Sequence, residues 1–192
     1  IGTTVGAIGS AVAAIAVGNN DFILFNFGIF LFGIYGGTAH QYRFAAADVA
    51  PEHIKAKSVS IVVAMGVVGA LVGPETTLLT KNIFGLAPFE GTFWALCVFC
   101  VLAAIIVLGI DIPRLTKAEV ADGGRPLGQI VVIPTFVVAL IAALFGYMVM
   151  NLLMTATPVT MRVEAFTDNN IARVIQWHVV GMFAPGFFTG SL

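Results

Sequence analysis

An all-α polytopic membrane protein with six spans is the fold class this sequence predicts, and three observations predict it. Fifty-nine percent of the residues are hydrophobic and 10% are charged, with a mean hydropathy of +1.01, outside the range of soluble domains. Several apolar runs approach or exceed the ~18–20 residues that cross a bilayer. Small residues recur at helical spacing within those runs, which lets backbones approach in lipid, where apolar burial gives helices no reason to associate. The net charge of −1, with no basic patch, argues against a nucleic-acid partner.

The first span covers about Ile1–Val17, with Gly2, Gly6, Gly9, Ser10 and Ala13 as its packing residues. Gly18-Asn19-Asn20-Asp21 forms the turn that ends it. The second span, about Phe22–Phe44, is phenylalanine-rich on one side and carries Asn26, Gly33, Gly37 and His40 along another. A polar loop is expected over Ala45–Lys57. The third span, Ser58–Thr80, organises the chain. Gly66, Gly69, Ala70 and Gly73 share one face at i, i+3, i+4 and i+7. Pro74 deprives the Ala70 carbonyl of its helical donor and predicts a kink. Glu75 then sets a carboxyl group near the end of the segment.

The fourth span, about Thr92–Ile110, is bulky and nearly featureless. Its Cys97 and Cys100 form C-x-x-C, but redox or zinc chemistry needs thiolates with nearby cations or further ligands. Wholly apolar surroundings predict packing cysteines, and neither a metal nor a cofactor is implied. Asp111–Gln129 is the longest polar stretch and reads as a linker. The fifth span begins near Ile130 and extends toward Val159, and the sixth covers about Ile171–Thr189 with Pro185 as its kink. If the first span enters from the cytoplasm, the inside loops hold Arg43, Lys55, Lys57, Arg114, Lys117 and Arg125. The outside then holds Lys81, Arg162 and Arg173. That bias predicts residues 45–57 and 111–129 to be cytoplasmic.

GALVGP at Gly69–Pro74 resembles the G-x-x-x-G-P of the fifth helix of the major facilitator superfamily, a motif that recurs there in proton-driven exporters. DVAPEHIKAK (Asp48–Lys57) is similar to that family's cytoplasmic loop between helices four and five. NLLMTATP (Asn151–Pro158) and QWHVVGMFAPGFFTG (Gln176–Gly190) are similar to helices seven and eight of a bacterial subgroup, and Gly190-Ser191-Leu192 to the start of a G-x-L-x-D-R-x-G loop. The resemblance covers the whole chain and implies helices three to eight of a twelve-helix transporter in the bacterial inner membrane. Residues 1–112 would belong to an N-terminal bundle, 113–129 to the linker and 130–192 to the C-terminal bundle. Two positions depart from the pattern: Ile29 stands where the fourth helix often has arginine, and Thr77-Leu78 replace a glycine pair.

The polar residues within the spans each admit two readings. Tyr147, Asn151, Thr155 and Pro158 share a face, and an amide in mid-membrane is costly unless partnered. Asn151 either bonds a neighbouring helix or, since the resembled helix seven lines the cavity, touches substrate, as would Asn26 and His40. His178 shares its side with Gly181, Pro185 and Thr189, and is either packed or a proton relay. Glu75 is an interfacial acid or, kept from water, a proton carrier. Arg43 anchors a helix end or pairs with Asp48 as a gate. Secondary transport of a small organic solute by alternating access follows from the resemblance, with protons as a coupling partner. A self-contained six-helix channel or scaffold is the alternative, although no charged pore ring is seen. An intramembrane enzyme would need H-E-x-x-H, Gly-x-Ser-x-Gly or paired aspartates, and none is present.

Overall fold

The computed structural model describes residues 1–109 and 126–189. Among them no strand occurs, and ten α-helices follow one another. These are α1 (Gly2–Gly18), α2 (Phe22–Ala39), α3 (Tyr42–Val49), α4 (Lys55–Ala64), α5 (Gly66–Thr80), α6 (Glu90–Leu108), α7 (Leu127–Ile130), α8 (Pro134–Val163), α9 (Asp168–Phe183) and α10 (Gly186–Thr189). Among the described residues, four stretches are long and apolar enough to cross a membrane: Phe22–Val49, Glu52–Thr80, Glu90–Leu108 and Pro134–Val163. α1 is apolar and 17 residues long. The described residues fall into two units, those within Ile1–Ile112 and Ala172–Leu192, and those within Pro113–Ile171.

In the first unit α1 packs between α2 and α6. Small residues make this contact. A Cβ at Gly28 would lie 2.6 Å from the Ala13 nitrogen, and one at Gly9 would lie 2.7 Å from the Gly28 carbonyl oxygen, so the two backbones touch directly. Ala13 and Ala14 are wholly buried beside them, and Cys100 of α6 is buried near Ser10. Both cysteines are free. The turn after α1 is held by Asp21, whose carboxylate accepts from the Leu24 N–H at 3.0 Å and caps α2. At the other end of α5, Gly91 lets the start of α6 approach the Thr80 carbonyl. Phe25 and Phe93 meet edge to face at 5.4 Å.

Two expected boundaries are corrected. The expected loop 45–57 is largely helical, with α3 running to Val49, a 3-10 turn at Glu52–Ile54 and α4 starting at Lys55. Ala45-Ala46-Ala47 favours helix, and the break waits for Pro51, which holds Ala50 extended at ψ 140°. The third span is interrupted at Met65, where the Val68 N–H donates to the Met65 carbonyl at 3.0 Å with 3-10 spacing. Pro74, the expected kink, lies inside α5. The sixth span breaks at Ala184-Pro185, between α9 and α10, at the proline expected to kink it. Residues 110–125, which hold most of the expected linker, lie outside the described residues, as do Gly190-Ser191-Leu192.

The second unit is dominated by α8, 30 residues with Pro158 inside it. At 1.5 Å per residue it reaches roughly 45 Å, more than the ~30 Å of hydrocarbon. Arg162 and Asp168 pair at 3.2 Å across the turn that follows.

Candidate functional site

The grooved helix divides its glycines between two environments. A Cβ at Gly66 would meet the Phe183 ring of α9 at 2.6 Å, so this glycine is filled by a partner side chain. Gly69 and Gly73 have nothing within 4 Å of such a Cβ. Rather than a helix contact, they floor a cleft of about 350 Å³ between α5 and α6, with Val72, Thr76, Leu96 and Phe99 among its walls. The hydroxyls of Thr76 and Thr77 donate to the carbonyls of Val72 and Gly73 on their own helix, so the cleft presents an apolar surface.

On its other side, the α4–α5 span meets α9–α10 in an antiparallel seam. As position rises along the first, Ser60 and Ala64, then Gly66, Leu71 and Glu75, the partners fall along the second, Gly186, Phe183, Gln176 and Arg173. Glu75 Oε1 pairs with Arg173 Nη1 at 2.6 Å. The same guanidinium nitrogen donates to Gln176 Oε1 at 2.8 Å, and Gln176 Nε2 donates to the Leu71 carbonyl at 3.2 Å. Gln176 is 5% exposed, and its amide oxygen and nitrogen both have partners, as a buried amide requires. Glu75 is therefore half of an ion pair across the seam, a partner that the sequence reading did not name.

The remaining candidates are dispersed. Tyr147, Asn151 and Thr155 stand exposed along α8, with Asn151 Nδ2 donating to the Tyr147 carbonyl at 2.9 Å. Asn26 likewise donates to the Phe22 carbonyl at 2.7 Å, and His40 is exposed at the end of α2. Among the described residues, intrahelical bonding satisfies one amide donor and leaves the rest of each amide open. Arg43 lies over the Phe44 ring at 4.8 Å, a cation–π contact, and among the described residues no ion pair joins it to exposed Asp48. Lys55 pairs instead with Glu52 at 2.6 Å. His178 is half-buried, and its Nε2 has no hydrogen-bond partner among the described residues. Pro158 and Pro185 mark a helix interior and a helix break. The sequence reading placed Arg173 among the outside charges and Gln176 in the sixth span, but joined neither to Glu75. Their signal was an i, i+3 pair on one span facing an acid on another, and pairing across spans is invisible to periodicity within one.

A bundle of membrane-crossing helices, joined along one seam by a polar network, is the class of protein these features define. Along its whole length the chain is related to transporters of the major facilitator superfamily, as GALVGP and NLLMTATP suggested. It is 37% identical over 194 residues to the riboflavin transporter RfnT of Brucella anthropi, covering 100% of this chain and 49% of that protein. It is 26% and 27% identical to the uncharacterized MFS-type transporters YddS and YdeG of Bacillus subtilis, covering 97% of this chain and 46% of each relative. The chain thus spans about half the length of the curated relatives it matches. No family model matches it, and no solved structure does.

Proposed function

We propose that this chain is part of a secondary transporter that carries a small organic solute across a bacterial inner membrane by alternating access. The relationship along the whole chain to a protein named as a riboflavin transporter carries the reading. In this proposal residues 1–112 and 130–192 belong to two bundles joined by a cytoplasmic linker at 113–129, and residues 45–57 are also cytoplasmic. Two bundles that rock against each other need a seam between them, and the antiparallel contact of α4–α5 with α9–α10 has that form. The substrate class is a neutral, planar aromatic solute of the flavin kind. Such a molecule suits apolar spans with few charges, and Tyr147, Asn151 and Thr155 supply a ring to stack on, an amide and a hydroxyl. Proton coupling belongs to the same proposal, with Glu75 and His178 as its candidate carriers.

The test is uptake of radiolabelled riboflavin into liposomes containing the protein with its full flanking sequence, with and without an imposed pH gradient. Saturable flux, competed by unlabelled flavin and accelerated by the gradient, is expected. Flux no faster than in empty liposomes would overturn the flavin assignment. The same result across a panel of neutral aromatic solutes would overturn transport itself.

A further inference from the structure

The seam between α4–α5 and α9–α10 is built differently at its two ends. At one end it is backbone against backbone. A Cβ on Gly186 would lie 3.1 Å from the Ser60 carbonyl oxygen and 3.2 Å from the Ala64 nitrogen, with Ala64 fully buried. At the other end contact is carried by long polar side chains, Glu75 to Arg173 and Gln176 to the Leu71 carbonyl. Between these ends both helices are interrupted at the same level. The first breaks at Met65, and the second at Ala184-Pro185, while Phe183 packs on Gly66 beside both breaks.

We propose that α5 and α9 are two arms that part about the paired breaks at Met65 and Ala184-Pro185, with Glu75–Arg173 as the releasable latch and the Gly186 contact as the fixed pivot. Interrupted helices are where a hinge absorbs a change in backbone angles, since fewer intrahelical bonds oppose it. The pivot is held by close packing, which is short-ranged and lost on any separation. The latch is suited to release. Arg173 and Glu75 are 51% and 43% exposed and lie five residues from the start of α9 and from the end of α5, so the seam encloses neither charge, and an ion pair of that exposure is weakly held. Arg173 keeps Gln176 Oε1 as an acceptor on its own helix after Glu75 leaves. The inference deepens the alternating-access reading, since it names the contact whose rupture opens one end of the seam.

Electron–electron distance measurement on the full-length protein tests it, with the native cysteines, Cys97 and Cys100 among them, replaced by alanine. One spin-label pair, at Leu79→Cys and Val174→Cys, spans the latch end. A second, at Ile61→Cys and Phe187→Cys, spans the pivot. All four positions are exposed. Glu75→Ala and Arg173→Ala should each raise the ratio of separated to closed distances at the latch about two- to fivefold and leave the pivot pair unchanged. The swap of Glu75→Arg with Arg173→Glu should return the ratio toward that of the parent. Salt at 1 M, where charges are screened within about 3 Å, should reproduce the separation in the parent and add nothing in Glu75→Ala. Unchanged latch distances in both single variants, or equal movement of both label pairs, would overturn the proposal. These distances are read without solute. A failed uptake assay would therefore remove the transport reading while a moving latch stood, and working uptake with a motionless latch would do the reverse.

Discussion

Substituting Gly28 by alanine tests whether direct backbone contact holds the first unit together. The added methyl carbon would lie 2.6 Å from the Ala13 nitrogen, 2.9 Å from the Gly9 carbonyl oxygen and 3.0 Å from the Ala13 Cα. These are backbone atoms that no rotamer change can move. Restoring ordinary contact, about 3.5–4.0 Å between carbons, requires α1 and α2 to separate by roughly 1 Å, a gap that forfeits a quarter to a half of each pairwise attraction. Overpacking of this kind costs about 1–3 kcal/mol. Gly33 on the same helix is the control, because a Cβ there meets nothing within 4 Å. Gly33→Ala should be neutral or gain up to about 1 kcal/mol of helix propensity. The assay is thermal denaturation in detergent with a thiol-reactive fluorophore, which reads release of buried Cys100 and half-buried Cys97 from the α1–α6 packing. Equal stability of Gly28→Ala and the parent, or equal losses in both variants, would refute the argument that these glycines are contact surfaces.

Three other outcomes are expected. Gly73→Leu should fold, since its side chain enters the open cleft between α5 and α6, and should slow transport; parent rates would remove the cleft from the cycle. A cysteine at Asn151 should react with a water-soluble thiol reagent and be protected by riboflavin, with Thr155→Cys labelling alike and Leu153→Cys weakly. Equal labelling at all three would count against the cavity face. Asp21→Ala removes the carboxylate that caps α2 and should cost about 1 kcal/mol of stability in the same denaturation assay.

The seam has a consequence for charged residues in apolar spans generally. An acid deep in such a span is costly when alone; Glu75, five residues from the end of α5, meets a guanidinium nearly a hundred residues away in the sequence. Removing either partner therefore acts on both spans. This is why the charge swap, and not either single substitution, separates a lost contact from a damaged helix.

Much of the architecture is determined by the sequence alone, because in lipid every backbone donor must be satisfied within its own segment. Apolar length therefore gives helices, and α1, α2 and α6 lie within a few residues of where hydropathy and the Gly18–Asp21 turn put them. The kinship with transporters was legible for a related reason: GALVGP, NLLMTATP and the Gln176–Gly190 segment are local strings. Breaks within spans were less legible. Proline marks a lost donor, but whether the helix gives way there depends on what packs around it, so Pro185 sits at a break while Pro74 lies within α5 and the interruption falls at Met65. Periodicity assigned Gly66, Gly69 and Gly73 to one face, yet tertiary structure alone decided that Phe183 fills the first while the others floor a cleft. The pairing of Glu75 with Arg173 was likewise decided in three dimensions, since a helix's own sequence specifies which residues share a face and not which helix that face will meet.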